Sequence, residues 1–329
     1  MRIFVAGAAG AIGRRLIPEL ARRGHHVTAA TRSADKLELL RGLGATPVVV
    51  DGLDGAAVGE AVARAAPDAI IHQMTALAGG ANLRQFDRWF ARTNELRTRG
   101  TAHLLAAARA ASVRRFVAQS YTGWNNARTG GPVKTEDDPL DPEPVKAQVE
   151  TMAAIQYLEK IVFDAPVEGL VLRYGNLYGP GSSDELTQLV RKRRMPIIGD
   201  GGGVWSWIHL DDVASATAMA LEGGLTGVYN VTDEEPATVA TWLPYLANVL
   251  GAKPPLHLPV WVARLAAGEV VVRWMTEGRG SSSAKLRAAT EWRPKWRSWR
   301  DGFRFALGLD ENVTSTLARR GMTNSEIRA

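Results

Sequence analysis

The chain has 329 residues, of which 46% are hydrophobic and 22% charged, a balance that favours a cored globular fold over a disordered one. With no cysteine it can form no disulfide framework, thiolate metal site or cysteine nucleophile, and no metal site is expected. The net charge of +6 is scattered along the chain, so a solvated basic surface is expected and not a nucleic-acid face.

In chain order, Arg2 to Ala6, Val27 to Thr31, Pro47 to Val50, Ala69 to His72 and Arg115 to Ser120 read as strands separated by helical stretches. This alternation predicts right-handed crossovers and a doubly wound parallel α/β sheet of Rossmann type, with a ligand at the carboxyl ends of the strands. Gly7-Ala8-Ala9-Gly10-Ala11-Ile12-Gly13 follows the first strand and opens a helix. Gly7 allows the tight turn, Gly10 lets backbone approach a pyrophosphate, Gly13 lets the helix pack closely, and the helix N-terminus offers amides to phosphate; Ala9, Ala11 and Ile12 belong to the same loop. The second strand ends in Thr31-Arg32-Ser33, with no acid for the ribose hydroxyls. A carboxylate there would repel a 2′-phosphate and an arginine attracts one, so NADP is expected, with NAD the alternative and Arg14 and Lys36 as reinforcement. Arg32 is otherwise a plain surface charge. Asp51, Gly52 and Leu53 are placed to hold the adenine, and Gln73, Met74 and Thr75 after the fourth strand extend the cofactor wall.

Asn94 to Ala111 is read as the long helix, carrying Leu96, Leu104 and Leu105 among alanines. Tyr121 to Pro144 is rich in Gly, Pro, Asn and Asp and forms a loop long enough to suggest a task. A helix (Val145 to Phe163) and a strand (Gly169 to Tyr174) follow, and beyond them the pattern becomes irregular. Eight of the ten tryptophans lie beyond Asp200. The expected division is a cofactor domain of residues 1–174 plus 204–232, a substrate lobe of 175–203 plus 233–309, and a tail of 310–329. Trp207 to Leu221 is expected to return to the cofactor sheet.

The glycine spacing, Asn94 with Gly100-Thr101 and Leu104-Leu105, and Arg114 to Val117 leading to Ser120 resemble the extended short-chain dehydrogenase/reductase family, the NAD-dependent epimerase/dehydratase type. Leu172 to Gly181 is similar to that family's segment beside the nicotinamide, which adds Tyr174, Asn176 and Leu177 to the candidate cofactor residues, along with Asn94 and Ser120. Trp207 to Ala214 and Gly227 to Val231 are similar to its later segments, and the likeness covers most of the chain. It implies a catalytic Tyr, a Lys four residues later and a Glu four further on. Counting back from Glu159, those positions hold Thr151 and Ile155, so the chain resembles an atypical member without the usual pair. Tyr157 and Lys160 are three apart and serve only if the helix turns by about 100° per residue.

Ser120 and Tyr121 are then the catalytic candidates, Ser120 to hold the substrate oxygen and Tyr121 to donate the proton, though Tyr121 could equally pack under the loop. Lys134 and Glu136 are weaker candidates, read more simply as surface charges. His72 and His209 read as packing residues. Trp205, Trp207, Trp242 and Trp261 either line an apolar pocket or fill a core. Three functions fit: an NADP-dependent oxidoreductase or epimerase acting on a small carbonyl or alcohol, a cofactor-sensing module without turnover, and a non-redox lyase or isomerase. The partner is a small-molecule substrate. No leader or apolar run of the roughly 18 residues that span a bilayer is visible, so a cytoplasmic protein without a membrane partner is expected. The resemblance implies a homodimer through Leu96 to Ala111 and the helix from Val145.

Overall fold

Both faces of the central sheet are covered, and side-chain alternation within the strands follows from it. In β1 (Arg2–Ala6) Ile3 and Val5 enter one core while Phe4 and Ala6 enter another, the period of two that a strand imposes. The structure is a computed structural model that describes residues 1–77 and 83–306. After β1 come α1 (Gly13–Arg22), β2 (His26–Thr31), α2 (Leu37–Gly42), β3 (Thr46–Val49), α3 (Gly55–Ala65) and β4 (Ala69–His72). Then follow α4 (Phe86–Glu95), a π-helical turn (Leu96–Gly100), α5 (Thr101–Ala110), β5 (Arg115–Tyr121), α6 (Val149–Asp164) and β6 (Glu168–Tyr174). A smaller lobe interposes α7 (Asp184–Arg191) before α8 (Leu210–Glu222) and β7 (Gly227–Val231). The chain continues through α9 (Val239–Val249), α10 (Val260–Ala267), α11 (Glu269–Thr276), α12 (Ala284–Ala289) and α13 (Trp299–Ala306).

The seven strands form one parallel sheet in the order β7-β6-β5-β4-β1-β2-β3. The order reverses between β1 and β4, so the chain leaves these neighbours in opposite directions and opens a crevice at their carboxyl ends. Leu16, Ile17 and Leu20 of α1 pack with Val213 and Ala216 of α8 on one face, while Val58 and Val62 of α3, Leu104 of α5 and Leu158 of α6 cover the other.

The long helix starts earlier than its leucines suggest. Phe86, Phe90 and Thr93 of α4 are buried at helical spacing, but charged neighbours dilute the signal, and the π turn then shifts the buried stripe to Leu96, Arg97 and Gly100. Trp207–His209 does not rejoin the main sheet: it pairs in parallel with Asn176–Tyr178, while the helix after it lies against α1. Trp205, Trp207 and Trp242 fill the core of the smaller lobe with Trp299 and Phe303, and Trp205 stacks on Trp274 at 4.4 Å. Trp261 is exposed on α10. The chain then comes back to the sheet, because Leu286 and Trp292 join the α1–α8 core and the Trp292 indole donates to Ser215 Oγ at 3.0 Å. The expected tail of residues 310–329 and the end of the lobe lie outside the described residues. Among the described residues, no helix is long and apolar enough to cross a membrane.

The tryptophan core makes a direct prediction. Trp242 is fully buried against Trp205 and Trp207, so Trp242→Ala should cost about 3–5 kcal/mol in urea unfolding. A cost below about 1 kcal/mol would show that these rings do not hold the lobe together.

Candidate functional site

The crevice at the strand ends is a cleft of ≈ 360 Å³ whose floor is the first turn of the chain. Gly7 has φ +84°, and a Cβ there would meet the Gln73 carbonyl oxygen at 2.5 Å, so only glycine lets the turn cross the start of the loop after β4. A Cβ at Gly13 would lie 2.2 Å from the Ala8 oxygen, which explains the close seating of α1. The Gly10 amide donates to Gly7 O at 3.1 Å and the Arg14 amide to Gly10 O at 3.0 Å. Among the described residues no backbone acceptor takes the Ala11 or Ile12 amide. Free amides at a helix start beside a glycine cradle fit an anionic pyrophosphate.

Gly7, Ala9, Gly10, Thr31, Arg32, Ser33, Asp51, Gly52, Gln73, Met74 and Thr75 line the cleft together, and Lys36 stands among them. Arg32 is exposed and has no carboxylate partner among the described residues, and the Ser33 amide donates to Thr31 Oγ1 at 3.2 Å. Lys36 pairs with Asp35 at 3.0 Å. Arg14 is elsewhere, since a Cβ on Gly181 would lie 3.5 Å from its Nη2. Asp51 is occupied already: Oδ1 accepts from the Leu53 amide at 3.0 Å and Oδ2 faces Arg92 at 3.3 Å. Ala11, Ile12 and Gly13 stand behind the loop at the start of α1, and Leu53 is half-buried beside Gly52.

The remaining candidates cluster farther along the same carboxyl edge of the sheet, at the ends of β5 and β6. The Ser120 hydroxyl donates to Glu159 Oε1 at 2.7 Å, so its proton is held by α6. Glu159 also takes Arg173 in a two-pronged pair at 2.8 and 2.6 Å, which ties α6 to β6. Tyr174 is buried, its hydroxyl accepting from Gln73 Nε2 at 3.0 Å and bonded to Thr217 Oγ1 at 2.8 Å, and burial pushes its phenol up to about 12. Asn176 donates from Nδ2 to Ser206 O at 3.1 Å, which fixes Oδ1 toward the Tyr121 hydroxyl at 2.9 Å. Tyr121 is half-buried, stacks on Trp124 at 5.8 Å and has its pKa pushed above the ordinary phenol value by burial. Leu177 packs against the α1–α8 core.

Thr151 and Ile155 are sealed inside α6: Thr151 is held by Asp87, with its amide at 2.8 Å, and accepts from Asn94 Nδ2 at 3.0 Å. Tyr157 and Lys160 sit on the outer face, where Lys160 pairs with Asp164. Lys134 is buried instead of exposed, donating to Thr129 O at 2.6 Å and pairing with Asp138 at 3.2 Å, so it braces the loop after β5. Glu136 accepts from the Asn230 amide at 2.6 Å. Thr122 and Asn126 bond to Ser281, which fastens that loop to the returning chain. The sequence alone did not single out Arg92 or Leu96, which line the cleft from α4 and the π turn, and no local pattern marks either for the site.

The NAD dependent epimerase/dehydratase family model matches residues 3–232. A "3-diazoavenalumate denitrifying reductase" of Streptomyces sp is 43% identical over 309 residues, covering 92% of this chain and 99% of the relative. A "4-hydroxy-2-methyl-3-oxo-4-farnesyl-3,4-dihydroquinoline-1-oxide ketoreductase" of Stigmatella aurantiaca is 30% identical, covering 81% and 79%. The solved UDP-glucose 4-epimerase of Thermus thermophilus, a complex with NAD, superposes with a TM-score of 0.73 at 26% identity, covering 94% of this chain and 98% of that one.

Both buried histidines stay neutral. The His72 Nδ1 accepts from the Met74 amide at 3.1 Å, Nε2 faces Thr101 Oγ1 at 3.0 Å, and burial pulls its pKa from 6.5 to about 4. His209 accepts from the Asp211 amide at the start of α8 and is lowered to about 4 in the same way. A depressed histidine contributes stability above about pH 6.5 that is lost as pH falls toward about 4, on the order of 3 kcal/mol for His72. Asp212, raised by burial to about 6, acts oppositely over the same range. His72→Asn keeps an acceptor for Met74, so the wild-type advantage over this variant in urea unfolding should shrink between pH 7 and pH 4.5. A constant difference would mean that His72 is not held neutral.

Proposed function

The chain belongs to the NAD dependent epimerase/dehydratase family, and on that premise we propose that it is an NADP-dependent reductase of small carbonyl substrates. The observation that carries the cofactor choice is Arg32, lining the β2 end of the cleft with no carboxylate paired to it among the described residues. A 2′-phosphate satisfies that guanidinium, with the Ser33 hydroxyl and Lys36 close by. The carbonyl is suggested by the relative named as a ketoreductase.

When bound, the nicotinamide supplies hydride to a carbonyl carbon. The substrate oxygen then needs one proton, and we assign its delivery to Tyr121. It is the half-buried phenol at the end of β5, and its hydroxyl, which donates to Asn176 Oδ1, has to turn from that amide to the substrate oxygen. Burial raises its pKa, so the phenol carries its proton at neutral pH and is a donor only if the bound cofactor and substrate make it more acidic. Ser120, bonded to Glu159, positions the end of β5.

Two substitutions test this. Arg32→Glu should weaken NADPH binding by roughly ten- to a hundredfold with little effect on NADH. Equal losses for both cofactors would remove the 2′-phosphate role. Tyr121→Phe should lower kcat about 10²–10⁴-fold while NADPH affinity stays within about twofold; undiminished turnover would assign the proton to another group.

A further inference from the structure

Gln73 lines the cleft and holds a buried acceptor that has no partner among the described residues. Its side chain is 5% exposed, and its amide nitrogen donates to the Tyr174 hydroxyl at 3.0 Å. The direction of that bond is fixed further along the chain of hydroxyls. Thr217 gives its own proton to Val213 O at 2.7 Å, so at 2.8 Å it takes the proton of Tyr174. The tyrosine oxygen then needs a donor, and Gln73 Nε2 is that donor. Gln73 Oε1 is left as an acceptor, and a buried acceptor without a donor is costly enough that its partner has to be sought.

The order of the strands identifies the missing donor. Along the carboxyl edge, Asp51 and Gly52 follow β3, Arg32 follows β2, the Gly7 turn follows β1, and Gln73 comes next, after β4. A dinucleotide with its adenosine at β3 and β2 and its pyrophosphate over the Gly7 turn therefore reaches β4 with its second ribose. The pyrophosphate accepts hydrogen bonds and donates none, whereas that ribose brings hydroxyl donors. Through Tyr174 the same side chain is tied to β6, so its amide stands between the cleft and the residues gathered at the ends of β5 and β6. α6 offers a ribose little, because Thr151 is engaged by Asp87 and Asn94 and Ile155 is apolar.

We infer that Gln73 positions the nicotinamide half of the cofactor, its Oε1 accepting a hydrogen bond from a hydroxyl of the nicotinamide ribose. This rests on the dinucleotide reading proposed above. The Tyr174 and Thr217 hydroxyls anchor the amide to α8, so the acceptor is set before the cofactor binds and little side-chain freedom is lost on binding. The two halves of the cofactor are then held independently, the 2′-phosphate by Arg32 and the second ribose by Gln73.

The test titrates the full chain calorimetrically with NADPH and NADH, and with 2′,5′-ADP and 5′-AMP, which lack the nicotinamide ribose. Gln73→Leu should weaken NADPH binding about five- to tenfold, while the affinity for 2′,5′-ADP stays within about twofold. Gln73→Met, unbranched and closer in length, should show the same split, which a packing defect peculiar to leucine would not produce. Arg32→Glu should instead weaken NADPH and 2′,5′-ADP together. Undiminished NADPH binding by both Gln73 variants overturns the inference, and so does an equal loss for NADPH and 2′,5′-ADP, which would place Gln73 against the adenosine half. If wild type prefers NADH, the 2′-phosphate reading falls, and NADH against 5′-AMP decides the role of Gln73 by the same comparison. Failure to bind either dinucleotide overturns both.

Discussion

The close crossing of two backbones, Gly7 over Gln73, sets the geometry on which the rest of the site depends. β1 and β4 are hydrogen-bonded neighbours, yet the chain leaves them in opposite directions, so the turns at their ends must pass within contact distance or the crevice between them does not form. A side chain at residue 7 would hold the turns apart. With glycine there, α1 begins directly under the cleft, the Ala11 and Ile12 amides just before it have no backbone acceptor among the described residues, and the Ala8 amide closes onto Ala30 O of β2 at 3.1 Å. The same crossing aligns Thr31, Arg32 and Ser33 along one wall and Gln73, Met74 and Thr75 along the other.

The other end of the site is built differently. α6 holds its position through Thr151, tied to Asp87 and Asn94, and through Glu159, tied to Arg173 and Ser120. None of these contacts presents an acidic proton to the cleft. The helix works as scaffold, and the proposed proton donor lies at the end of β5, where Tyr121 bonds to Asn176 and the segment Thr122 to Asn126 is fastened to Ser281. Anchoring of that loop by buried polar contacts, Lys134 among them, keeps a half-exposed phenol in one orientation, as proton transfer in a defined geometry requires.

Much of this was legible in the sequence for a physical reason. Strands of a doubly covered parallel sheet read as short continuous apolar runs, so Ile3 to Ala6 and Ala69 to Ile71 announce themselves, and a glycine turn set between a strand and a helix points to phosphate binding. The rest depends on contacts between distant residues. Phe86 and Phe90 look like scattered aromatics until they close on Trp124, and a π turn adds a residue that no 3.6-residue pattern anticipates, which hid the burial of Arg97. Lys134 reads as a surface charge because its partners, Thr129 O and Asp138, close around it only when the loop folds. The return of Leu286 and Trp292 to the sheet-side core has no local signal, since apolar residues look alike whichever core they enter.

The central claim is that this cleft is built for a dinucleotide with a 2′-phosphate. Competitive titration of the unmodified protein with NADPH and NADH, read by nicotinamide fluorescence, tests it most directly. NADPH should bind at least about tenfold more tightly, a preference that weakens as salt screens Arg32 and Lys36. Equal affinity, or a preference for NADH, would contradict it.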